Sequence, residues 1–207
     1  MRVRVIIVIL VFSAVSLVVV GAVAAQDAPD IPDPVAVVLD HETTALLVLD
    51  MIESICNRYE VCVNGSAPAM GGLLTRARGA SVYVVHTGTS TPAVAPVARL
   101  ANEPTLDAPA DKFFGSELNE LLTEHSIRTV VIGGWAGNRA VLYTSYDAAA
   151  RGYTVVVPVD GAVAALPFMT IATQYQMLNT IGSPNVDNLP LAPGGVTLSR
   201  TDLIAFE

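Results

Sequence analysis

The stretch VVIGGWAGNRAVLYTSYDAAARGYTVVVPVDG, Val130 to Gly161, decides the fold. It opens on an apolar, β-branched run, breaks at Gly133-Gly134, crosses a turn of small and polar residues, and continues with helical periodicity to Gly152. A second apolar run, Tyr153 to Val159, follows. Strand, glycine-rich turn, helix and strand form the unit from which parallel sheets are built, because parallel neighbours must be joined by a crossover. Such sheets bind ligands beyond the C-terminal ends of their strands, so the turn after Gly134 is where chemistry is to be sought.

Upstream the same grammar repeats. TTALLVLDM (43–51) reads as a buried parallel strand ending at Asp50, and ASVYVVHTG (80–88) as a second one ending near His86. Leu73, Leu74 and Ala77 recur at helical spacing and predict a helix over Ala67 to Arg78. From Thr87 to Ala110 the four prolines Pro92, Pro96, Pro104 and Pro109 mark a long surface excursion of the kind that lines sites. GSELNELLTEHSI (115–127) is a helix, with Ser116 as N-cap and Leu118, Leu121 and Leu122 on one face. Downstream, PFMTIATQYQMLNTIG (167–182) predicts a further helix opened by Pro167, GVTLSR (195–200) the last strand, and TDLIAF (201–206) a terminal turn. Strands alternating with helices define an α/β chain with three α/β/α layers around a mostly parallel sheet.

The N-terminus is of another kind. MRVRV carries Arg2 and Arg4, an uncharged apolar run extends from Ile6 to Val23, and small residues follow up to Ala25. This predicts a signal peptide over residues 1–25 and a secreted or periplasmic domain; the alternative is an uncleaved anchor, since the run approaches bilayer-spanning length. Either way the arginines orient the chain so that the domain is carried across. Residues 26–43 are proline-rich and acidic and read as an exposed tether with a short edge segment, leaving 44–207 as the domain.

Removing residues 1–25 takes away Arg2 and Arg4 and no acid, so the formal net charge of −8 becomes −10, with 9 basic against 19 acidic residues. No basic stripe is visible, which argues against nucleic acid as a partner. A membrane enters only through an uncleaved N-terminal segment, and a homo-oligomer is compatible with the sequence. The only cysteines, Cys56 and Cys62 in CNRYEVC, are spaced for a disulfide in an oxidising compartment; the alternative is two buried thiols.

TALLVLDM (44–51), FFGSELNELL (113–122) and the stretch from Ile127 to Gly161 resemble the isochorismatase-like, or cysteine hydrolase, family. The most specific element is a T-x-x-D-A-x-x-x-G-Y run, here Thr144, Asp147, Ala148, Gly152 and Tyr153. The resemblance implies a Rossmann-like three-layer fold and, in most members, a Cys nucleophile, an Asp that takes its proton and a Lys that orients them on small amide or carbamoyl substrates. The Asp carries over to Asp50. At the end of a buried strand it stands in the ligand crevice, where a carboxylate serves as general acid or base; the alternative is a helix cap. The family's lysine falls near Asp107, or at Lys112 against Phe113. Lys112 is the only lysine of the chain, and a buried lysine can exchange a proton where an arginine cannot.

The nucleophile position falls on Ala140, whose methyl group cannot attack a carbonyl. The backbone over Trp135, Ala136, Gly137, Asn138 and Arg139 is then a candidate pocket or oxyanion element, with Trp135 as a wall and Asn138 and Arg139 as polar contacts or merely exposed first-turn residues. True isochorismatases also lack this Cys, and there the resemblance implies an Asp that protonates a vinyl ether. Two and four places after Asp50, where polar residues are usual, stand Ile52 and Ser54. His86 alone is a poor metal ligand set and reads as a polar strand-end residue; neither metal nor cofactor is expected. These features predict an exported hydrolase without a Cys nucleophile, with Asp50 as general acid or base, or else a small-molecule binding protein on the same fold.

Overall fold

The computed structural model describes residues 29–180 and 182–207, so the predicted signal peptide over residues 1–25 lies outside the described residues. The strands are β1 (Val37–Leu39), β2 (Thr44–Leu49), β3 (Tyr83–Thr87), β4 (Thr105–Leu106), β5 (Thr129–Gly134), β6 (Thr154–Pro158), β7 (Val196–Ser199) and β8 (Ile204–Phe206). The α-helices are α1 (Glu53–Cys56), α2 (Ala67–Gly79), α3 (Leu118–Glu124), α4 (Leu142–Ala150) and α5 (Pro167–Thr180). Six strands form one parallel sheet in the order β4-β3-β2-β5-β6-β7, and β1 pairs with β8 in a second, two-stranded one.

Every residue of β2 is buried, because both faces of the sheet are covered. Leu47 and Leu49 point to a core shared with Leu118 and Leu122 of α3, Ala148 of α4 and Met177 of α5. Leu46 and Val48 point to the opposite core, with Met70, Leu73 and Leu74 of α2. The period of two along one apolar run thus divides the molecule into its three layers.

From β2 the chain builds outward through β3 to β4, then returns to lay β5 on the other side of β2. The reversal opens a crevice at the C-terminal ends of β2 and β5, whose last residues Leu49 and Gly134 are in register. Gly134 adopts φ +142°, and a Cβ there would lie 2.1 Å from the Leu49 carbonyl oxygen, so only glycine lets the two strand ends approach.

Several expectations change in detail. The Pro-rich excursion contains β4, only two residues long, and the terminal turn contains β8. Ser116 is not the N-cap of α3, whose cap is Glu117; its hydroxyl accepts the Leu118 N–H and donates to the Lys112 carbonyl. Nor is the segment before β2 a free tether. The Val35 N–H donates to Leu198, the Ser199 hydroxyl donates to the Val35 carbonyl, Asn188 donates to the Asp33 carbonyl, and β1 buries Val37 and Leu39.

Candidate active site

The crevice is a cavity of about 510 Å³. Asp50 follows directly on β2 and turns into it because its backbone is left-handed, φ +50°. Asp tolerates that region better than most residues, and Thr87 at the end of neighbouring β3 secures it. The Thr87 hydroxyl accepts the Asp50 N–H at 3.1 Å and donates to Asp50 Oδ1 at 2.8 Å, closing a small ring. Gly88, at φ +85°, keeps the space beside this carboxylate clear, since a Cβ there would stand 3.2 Å from Oδ1.

The other carboxylate oxygen, Oδ2, accepts from Lys112 Nζ at 2.7 Å. Lys112 is 1% exposed, and its ammonium also donates to the Ala108 carbonyl at 3.0 Å. An ammonium so deeply buried requires such partners. Its backbone is held in turn: the Lys112 N–H donates to the hydroxyl of Thr144, which donates to Ala110. Thr144, the first residue of the T-x-x-D-A run, thereby straps the lysine segment to α4. Asp147 of that run pairs with Arg151, which lies 4.8 Å from the centre of the Phe113 ring.

Ala140 lines the same cavity at 2% exposure. It lies in a single π-helical turn, Gly137–Val141, that leads into α4 after the cis peptide bond between Trp135 and Ala136. Trp135 walls the cavity together with Tyr59, the ring centres 4.7 Å apart. Asn138, tied to Met169, and the exposed Arg139 stand at its mouth. Gly137 does not line it. The N–H groups of Trp135, Gly137 and Arg139 are spent on the carbonyls of Leu49, Val163 and Ala136, so the expected row of free amides is largely used by the fold.

The predicted residues Asp50, Lys112 and Ala140 therefore meet in one place. The alternative lysine position, Asp107, is exposed and does not line the cavity. His86 lies elsewhere, buried, with Nε2 2.9 Å from Glu103. Ile52 is buried beside Ala93, and Ser54 bonds to Thr91. Cys56 and Cys62 are joined in a disulfide with Cα atoms 5.4 Å apart. Sequence reasoning missed Thr87, Tyr59, Arg58 and Met169. The first is an ordinary residue at the end of β3 whose partner is set by the pairing of β2 with β3, and the others come from segments distant in sequence.

A parallel sheet with a paired Asp and Lys at its reversal point defines an α/β domain with a polar ligand crevice. The chain belongs to the isochorismatase family: residues 44–183 match the isochorismatase domain. Over 48 residues it is 44% identical to the uncharacterized isochorismatase family protein YaaI of Bacillus subtilis, a match spanning 23% of this chain and 26% of that protein. Among solved structures it is similar to a cysteine hydrolase from Pseudomonas syringae pv. phaseolicola, with TM-score 0.66 and 15% identity over 86% of this chain and 95% of that one. It is likewise similar to an N-carbamoylsarcosine amidase from Thermoplasma acidophilum, with TM-score 0.63 and 18% identity over 77% and 97%.

Proposed function

We propose that the chain is an exported hydrolase of a small molecule that works without a cysteine nucleophile and uses Asp50 as its general acid or base. The observation that carries this is the 2.7 Å contact of Asp50 with Lys112 on a cavity that also holds the Ala140 methyl group. With no nucleophilic side chain at position 140, the attacking group is water or the first step is protonation of the substrate, and in both cases a proton passes through a positioned carboxylate. Lys112 holds the carboxylate by one oxygen while Thr87 holds the other. Two of the three ammonium donors have protein partners, which leaves one for a ligand oxygen. Export is supported by the disulfide, which belongs to oxidising compartments, and by the apolar run at residues 6–23. No helix among the described residues is long and apolar enough to cross a membrane.

The test is a screen of primary amides, vinyl ethers and lactones with the purified protein. Turnover is expected to resist iodoacetamide, because neither cysteine is free, and to leave no covalent acyl-enzyme in intact-mass spectra. Asp50→Asn should lower kcat by roughly two to four orders of magnitude. An unchanged rate in Asp50→Asn rules out the acid-base role. The absent nucleophile at Ala140 favours a second reading, a binding protein that has lost the reaction; absence of turnover with ligand affinity unaltered by Asp50→Asn would establish it.

A further inference from the structure

Two arginines are set apart by what they do not touch. Arg78, Arg151 and Arg200 are paired with Glu103, Asp147 and Asp202. Arg76 and Arg99 donate to the carbonyls of Thr201 and Gly88, and Arg128 acts on Asp40. The guanidinium groups of Arg58 and Arg139 have no hydrogen-bond or ionic partner among the described residues, and both line the cavity of Asp50 and Lys112. The sequence carries a net charge of −8, yet this cavity has three cations, and its one acid is already bound to Lys112. A concentration of unpaired positive charge in a cleft of an acidic protein attracts anions and raises their local concentration. The planar guanidinium fork matches a carboxylate in particular.

Both arginines are carried on constrained backbone. Arg58 lies with Tyr59 inside the loop closed by the Cys56–Cys62 disulfide, and the Tyr59 N–H donates to the Cys56 carbonyl at 3.0 Å. Arg139 lies in the turn after β5, where its own N–H donates to the Ala136 carbonyl at 3.0 Å. Tyr59 and Trp135, their rings tilted 34° against each other, add an aromatic wall next to Arg58.

We propose that Arg58 and Arg139 form a carboxylate-binding subsite at the mouth of this cavity, with the Cys56–Cys62 loop holding Arg58 and Tyr59 against it. The proposal rests on reading the cavity as the site of a small-molecule hydrolase, and it names the substrate class. The ligand is a small organic acid with a planar or apolar body, its carboxylate at the mouth and its reacting group at Asp50 and Lys112.

Calorimetric titration of the disulfide-intact protein with benzoate, pyruvate and maleate, each against its amide and against inorganic phosphate, tests this without turnover. At least one carboxylate should bind roughly tenfold or more tightly than its amide and than phosphate, and its affinity should fall with added salt. Arg58→Gln and Arg139→Gln should each weaken the carboxylate roughly five- to tenfold and leave the amide unchanged. Because both side chains are exposed, neither change should disturb folding. Equal affinity for acid and amide, phosphate binding as tightly as any carboxylate, no carboxylate binding at millimolar concentration, or an Arg58→Gln variant that binds as wild type would each overturn the proposal. Turnover of neutral amides by a protein that fails these titrations removes the subsite and leaves the hydrolase. Arginine-dependent carboxylate binding without turnover of any substrate does the reverse.

Discussion

The ring between Asp50 and Thr87 accounts for how a carboxylate comes to face the cavity at all. A left-handed aspartate costs backbone energy of order 1 kcal/mol, and the Thr87 hydroxyl offsets it by bonding both the N–H and Oδ1 of the same residue. Thr87 acts through the Asp50 carboxylate and is a positioning residue. Thr87→Val keeps the shape at a site 2% exposed but leaves the Asp50 N–H without its acceptor, so stability should fall by about 1–3 kcal/mol in urea unfolding. Turnover should fall through kcat with KM little changed, and Thr87→Ser should restore it, which a loss of packing alone would not explain. A Thr87→Val protein with the wild-type midpoint and rate would show that the ring holds nothing. At this scale Asp50 and Lys112 were legible through the family resemblance, which picked out the Asp at the end of an apolar run from a mere helix cap and the only lysine in the matching segment. It did not reveal Thr87, because neither the pairing of β2 with β3 nor the left-handed turn of Asp50 that brings the two residues together is written in the hydrophobic pattern.

Among the elements, long apolar runs such as Thr44–Leu49 and Thr129–Gly134 were legible because burial on both faces demands them. The two-residue β4 and three-residue β8 were not, being too short for a period to register, and β1 was legible only as a short edge segment without bounds. The acidic, Pro-rich segment before β2 looked like a tether because its docking uses backbone carbonyls at Asp33 and Val35, which every residue has. The Cys56–Cys62 loop was legible from spacing together with the expected export, whereas its position beside Trp135 depends on the tertiary fold. Loop-closure entropy for so short a ring contributes about 2 kcal/mol. Replacing both cysteines by serine should lower the unfolding free energy by that amount, and the urea midpoint of the variant against wild type measures it. If the midpoint is unmoved, the ring is held by its backbone hydrogen bonds and the disulfide adds nothing.

For the molecule as a whole, acidification should act through a buried polar group of β3 that does not line the cavity. Burial pushes the His86 imidazole below its ordinary value, and the charges of Arg99 and Arg78 act in the same sense, while Glu103 opposes them. Burial raises Glu103, but its bonds from Arg78 and the Leu100 N–H, with the charges of His86 and Arg78, outweigh this and hold its carboxyl below the usual range. Both folded values are depressed, so both groups contribute stability at higher pH and lose it on acidification. The unfolded chain takes up the histidine proton first, below about pH 6.5, and the glutamate proton below about pH 4.3, while the folded protein resists each until its lower value is reached. Asp111 runs the other way: burial holds its carboxyl up, so acid relieves a cost there that is present near neutrality. The net expectation between pH 7.5 and pH 5.5 belongs to His86, since the carboxylates titrate lower. Urea midpoints should therefore fall over that interval in wild type and stay level in His86→Gln, which keeps a donor toward Glu103 but cannot take up a proton. A wild-type midpoint that is flat over the interval, or a variant that falls just as steeply, would place the acid sensitivity elsewhere in the fold.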